Sequence, residues 1–201
     1  MTGLTSPRWR RLGLALATGS AAALALTAGF AGPAQAAPTH QSAPTQTYHV
    51  ALDTLNHSGA SGVANLALRG DQLTVIINSR GLTPGQPHAQ HLHYSLNAAH
   101  TCPPLSADTN GDGVISLAEG VPYYGGVDIS LTTSGDSLPS SALALNRMPV
   151  AKANGTLHYK RTFTVTPAQA AHITDFVIVQ HGITENNGYQ ATLPTDCGAV
   201  N

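Results

Sequence analysis

In the stretch His88-Ala89-Gln90-His91-Leu92-His93, three imidazoles stand within six residues. Side chains alternate between the two faces of a strand, so His91 and His93 share one face while Leu92, Tyr94 and Leu96 share the other. The apolar set is expected to fill a core, with the two imidazoles together on the outer side. Two imidazoles on one strand face can share a metal ion, and imidazole suits copper and zinc. The competing reading is a pair of solvated surface histidines. His88 has the opposite parity and needs a bend to join them. Far along the chain, Phe176-Val177-Ile178-Val179-Gln180 runs into His181, which shares its parity with Val177 and Val179. A histidine ending a buried strand can be a third ligand, or it can be a core-edge histidine hydrogen-bonded to backbone.

A second constellation is built from oxygens. Asp108-Thr109-Asn110-Gly111-Asp112-Gly113-Val114-Ile115-Ser116-Leu117-Ala118-Glu119 fits the twelve-residue EF-hand-type calcium loop. Asp108, Asn110 and Asp112 offer side-chain oxygens at loop positions 1, 3 and 5. Gly113 permits the sharp turn, Val114 offers its carbonyl, Ser116 sits where a ligand or bridging water is usual, and Glu119 can bind with both oxygens. The competing reading is an Asx-rich solvated turn. Pro103-Pro104 forbid a long helix before the loop, and Gly120 and Pro122 are expected to cut short the one after it. With a single loop and no helix pair to open, the expected role is structural: the ion pins a long insertion that has no core of its own.

The elements that must position these residues are strands. Thr47–Leu55 alternates, and 62–69 and 72–79 flank Gly70-Asp71 as a hairpin. Further strands are expected at 88–96, 127–133, 155–165 and 176–181, with one helical turn at 167–171 behind Pro167. Thr101–Tyr124 reads as irregular. Strands of this length separated by turns indicate an all-β sandwich or closed barrel with a long loop insertion.

Arg8, Arg10 and Arg11 precede an apolar stretch from Leu12 to Phe30 that ends in Ala34-Gln35-Ala36. This is the pattern of a secretory signal peptide (1–36), cut after Ala36, so no stable membrane insertion is expected once it is removed. Residues 37–46 read as a flexible Pro/Thr/Gln-rich leader, and 47–201 as a single β domain. The 201 residues carry 9 Lys and Arg against 10 Asp and Glu, a net charge of -1, with 10 His. Removing the three arginines of the signal peptide leaves -4, which argues against nucleic acid as a partner. Secretion favours pairing the two cysteines, Cys102 and Cys197. Asn56-His57-Ser58 and Asn154-Gly155-Thr156 match N-glycosylation acceptors.

The run from Gly62 to His93 resembles the first half of the Cu/Zn superoxide dismutase family, in which a hairpin leads through a Gly-Leu-Thr turn to a copper-binding His-x-His strand. It equally resembles the CHRD (chordin-type) domain, which shares the Gly-Leu turn and an Ala-x-His-x-His strand. Cys102, Gly135-Asp136, the strand ending in His181 and Cys197-Gly198-Ala199-Val200 follow in dismutase order. The resemblance implies a Greek-key β-sandwich or barrel of the dismutase type over about Thr47 to Val200. It also implies a copper site at His91, His93 and His181, with His88, His100 or water as a fourth donor.

The departures bear on activity. Between Cys102 and Asp136 there is no histidine, so the zinc ligands of that family have no counterpart and zinc is not expected. Pro194 stands where the family has the arginine that guides superoxide. The expected protein is a secreted metal-binding β-sandwich that holds calcium, and copper at three histidines, without efficient dismutase activity. It would serve binding or cell-surface structure. The alternative is a copper-only dismutase-like oxidoreductase.

Overall fold

The computed structural model describes residues 43–201; the expected signal peptide and residues 37–42 of the expected leader lie outside the described residues. Eight strands, β1 (Thr45–Thr54), β2 (Ser61–Arg69), β3 (Gln72–Arg80), β4 (Gln90–Tyr94), β5 (Gly126–Ser130), β6 (Leu157–Thr164), β7 (Val177–Glu185) and β8 (Gly188–Ala199), form one sheet. Their order is β5-β4-β7-β8-β1-β2-β3-β6, and neighbours run antiparallel. β1 starts at Thr45, opposite Arg69, so it takes up the last two residues of the segment read as leader. The β2–β3 hairpin turns at Gly70-Asp71 with Arg69 opposite Gln72, and Gly70 takes the positive φ (60°) that such a turn needs.

The sheet curls around its apolar face. Leu66, Val75, Ile77, Leu92, Phe176 and Ile178 are all buried in the core it encloses. The alternation is legible along β2, where Ala64, Leu66 and Leu68 are buried, and along β3, where Leu73, Val75, Ile77 and Ser79 are. Edge strand β6 reaches the residues that follow β5 through side chains: Tyr159 Oη and Arg161 Nη1 both donate to the Thr132 carbonyl, at 3.0 and 2.8 Å. No helix among the described residues is long and apolar enough to cross a membrane.

On β4, β7 and β8 the opposite face is covered as well. Val177, Val179 and Cys197 pack there with Leu55 and Tyr124 in a second, smaller core. The cover comes from the long segment between β4 and β5, which the sequence leaves as irregular. It contains a two-turn helix, α1 (Leu117–Tyr124), that runs through both Gly120 and Pro122. A capping box starts it: Glu119 N–H donates to Ser116 Oγ at 3.4 Å, and Ser116 N–H donates to Glu119 Oε2 at 2.9 Å. Gly120 is required by packing, since a Cβ there would fall on the ring of the fully buried Tyr124. A short helix α2 (Pro167–Ala171) follows β6 as expected, with Pro167 at its first position.

The segment is tied down at two points. Cys102 is bonded to Cys197 on β8. Asn56 accepts from Ile115 N–H at 2.6 Å and donates its amide to the carbonyls of Ile115 and Pro194 at 2.9 and 3.0 Å. This residue, read as a glycosylation acceptor, is thus buried with its amide nitrogen occupied. Asn56→Ala strands the N–H of buried Ile115 and is expected to destabilise the fold by roughly 2–3 kcal/mol. Denaturant unfolding measures the loss, and amide exchange across 108–116 should rise with it.

Candidate metal centre

His91 and His93 leave β4 on the face away from the main core, as parity predicts, and β7 brings His181 to the same side. That side is not solvated: the three residues are 3%, 1% and 2% exposed. The expected outer histidines are buried because the segment carrying α1, together with the loop around Ala142, lies over them. Ring centroids are 5.3 Å apart for His91 and His93, 5.1 Å for His91 and His181, and 5.7 Å for His93 and His181. Tyr124 closes one side, its ring 4.6 Å from that of His93. Tyr94, expected in the core with Leu92, is partly buried and stacks between His100 and His172. Leu96 lies beyond the end of β4 and is 79% exposed.

Each ring is oriented by one backbone carbonyl. His91 Nε2 faces Ala142 O at 2.9 Å, His93 Nδ1 faces Gly125 O at 3.1 Å, and His181 Nδ1 faces Thr192 O at 2.9 Å. A carbonyl only accepts, so each of these nitrogens carries the N–H and the other keeps its lone pair. The remaining nitrogens, His91 Nδ1, His93 Nε2 and His181 Nε2, are buried without a hydrogen-bond partner. An unpartnered buried polar atom costs about 1–3 kcal/mol, and three facing one another are not what stability alone would select. Ligand atoms of the trio all lie within 4.8 Å of one another, a closeness that no other group of three His, Cys, Asp or Glu reaches among the described residues. Backbone carbonyls that accept from the far ring nitrogen and so fix the imidazole tautomer are the usual support of a metal site.

The electrostatics agree. Burial pushes His91 down to about 4. Burial, and then the neighbouring His91, push His93 to about 3. His181 is held well below the ordinary histidine range by burial and by both neighbours. The trio is therefore uncharged at neutral pH, and a metal ion meets free lone pairs with no proton to displace.

The other candidates stand apart from this cluster. His88 is buried, but its ring faces the carbonyls of His181 and Thr83 at 2.9 and 3.1 Å. His100 faces Ser95 O at 2.9 Å and Asp175 at 3.8 Å. Asp136 accepts from Ser141 Oγ and pairs with Arg147 at 3.3 Å.

In the 108–119 loop the carboxylates are turned on the loop's own backbone. Asp108 accepts from Gly111 and Gly113 N–H, Asp112 from Val114 N–H, and Glu119 from Thr109, Asn110 and Ser116 N–H. These hydrogen bonds hold Glu119 down to about 2, the pair from Ser116 contributing most.

His91, His93 and His181 were legible in the sequence as candidate ligands, and what completes the cluster was not. The orienting carbonyls of Gly125, Ala142 and Thr192 carry no signal in residue type, and Tyr124 had none that set it apart from Tyr123. No protein-family model matches the chain, and no curated protein matches it in sequence.

Proposed function

We propose that this is a secreted metal-binding β-sandwich protein of the dismutase-like and CHRD kind. Its copper site is His91, His93 and His181, and its calcium site is the loop with Asp108, Asn110, Asp112, Val114, Ser116 and Glu119. The observation that carries the reading is the convergence of three buried, unpartnered imidazole nitrogens. An all-imidazole donor set without carboxylate or thiolate suits copper, and the order of motifs from Gly62 to Val200 favours copper over zinc. Bound copper would supply one-electron chemistry between Cu(I) and Cu(II). The chain's own part is to hold the three rings in fixed tautomers through the carbonyls of Ala142, Gly125 and Thr192, and to exclude water with Tyr124. Pro194 and the net charge of -4 on the secreted part argue against efficient use of superoxide. For calcium, support comes from the oxygen-rich twelve-residue pattern, from the left-handed Gly113 (φ 86°) that turns it back, and from its anchoring by Asn56.

The copper reading is tested by metal analysis of secreted protein offered copper, zinc and calcium, then desalted. One copper per chain is expected, and none in His91→Gln/His93→Gln, whose circular dichroism should match the native protein. Equal copper in the two overturns the reading. A copper-loaded chain that also dismutates superoxide would favour the oxidoreductase alternative. For calcium, the ion is expected to raise the melting temperature of the native chain and to leave that of Glu119→Gln unchanged; a native melting temperature that calcium does not move would retire that site.

A further inference from the structure

A cavity of about 120 Å³ opens against His91 and His181. Leu117 of α1, Val127 of β5 and Leu143 form its apolar walls. Leu117 and Leu143 are 41% and 58% exposed, so this rim faces solvent. A water needs roughly 10–15 Å³ of such space, so the cavity has room for a molecule of several atoms.

The walls are without charge. Of the other two lining residues, Ala142 and Thr192, the carbonyl oxygens already accept from the rings of His91 and His181. No lysine or arginine lines the space. Arg147, which reaches Ser141 next to Ala142, is paired with Asp136. Before it reached the metal, an anion passing Leu117 and Leu143 would shed its hydration with no side-chain cation or N–H along the walls to replace it, whereas an uncharged molecule pays no such penalty on entry. The net charge of -4 over the secreted part adds a repulsive field for anions.

We infer that this cavity is the access pocket of the histidine centre and takes a small uncharged molecule of a few atoms, its apolar rim turning anions away. The inference rests on the copper reading above and adds the class of molecule the site admits.

The test uses the full secreted chain loaded with copper, its copper content measured first. Carbon monoxide is the uncharged probe on the reduced form, read by infrared absorption. Azide is the anionic probe on the oxidised form, read by the visible copper spectrum. Carbon monoxide is expected to bind one per copper, while millimolar azide leaves the native spectrum unchanged. Leu143→Lys puts a cation on the rim and should strengthen azide binding roughly tenfold or more. Val127→Phe fills the cavity and should abolish carbon monoxide binding at unchanged copper content. Leu143→Trp replaces it if that variant does not fold. Azide binding to the native chain as readily as to Leu143→Lys overturns the inference, as does carbon monoxide binding in the filled variant. A native chain that takes up no copper overturns the copper reading and this inference together; a copper-loaded chain open to azide overturns this inference alone.

Discussion

Metal-free protein is expected to lose roughly 2–3 kcal/mol of stability when the pH falls from 6 to 5, while carboxylates with ordinary values are still ionised. In the folded chain His91 and His93 titrate at about 4 and about 3, and His181 well below its usual range, against 6.5 when unfolded. Between those values the unfolded chain binds three protons that the folded chain refuses, so acidification favours unfolding. His88, also lowered by burial, acts in the same direction.

Asp196 opposes them. It is fully enclosed, the Gln180 amide lying 2.9 Å from its carboxylate, and burial raises it to about 7. In the same window the folded chain holds a proton there that the unfolded chain releases. Three histidines against one aspartate leave about two protons net, and each is worth about 1.4 kcal/mol per pH unit. Glu119 and Asp136 are shifted downward and act only at lower pH.

His91→Gln/His93→Gln removes two of the three, leaving His181 and His88 against Asp196, so its stability should fall much less than that of the native chain over this range. Denaturant midpoints of chelator-treated protein at pH 7, 6 and 5 decide the matter. A native midpoint that does not move between pH 6 and 5 would mean that the imidazoles are not enclosed as described.

The strand face shared by His91 and His93 was legible because alternation is a local property of extended backbone. Their burial was not, because it comes from the segment carrying α1 and from the Ala142 loop, whose contacts with the two rings span 32 and 51 residues. The same limit explains β8. No strand was expected over 188–199, where Pro194, Asp196 and Gly198 have low strand propensity; Pro194 sits opposite His181 where the register with β7 slips, so the N–H it lacks leaves no regular rung unfilled. Thr195 Oγ1 donates to the Gln180 carbonyl at 3.2 Å beside that slip. Helix α1 was hidden because Pro122 and Gly120 argue against helix by propensity. Glu119 had been read as a calcium ligand, and it also closes the capping box that starts this helix. The hairpin at Gly70-Asp71 and the helical turn behind Pro167 were recovered, since turn and cap chemistry lie within a few residues.

Breaking the disulfide is expected to have the largest single effect on stability. Cys102 and Cys197 are 95 residues apart in sequence. Opening so long a loop releases roughly 4–5 kcal/mol of unfolded-state entropy in the chain-entropy model. For a chain of this size that lowers the melting temperature by roughly 10–20 °C. The bridge also has a local part to play. Cys197 lies on β8 opposite Val179 and Asp53, near the middle of the sheet, while Cys102 begins the segment that covers the histidines. In Cys102→Ala/Cys197→Ala that cover is held by Asn56, by the packing of Tyr124 and by the Gly125 carbonyl on His93. Amide exchange should therefore rise first in α1, at a denaturant concentration where the β2–β3 hairpin is still protected, because opening the cover no longer requires opening the sheet. If exchange instead rises together in α1 and the hairpin, the bridge acts only through the unfolded chain, and the cover over His91, His93 and His181 is held by the rest of the fold.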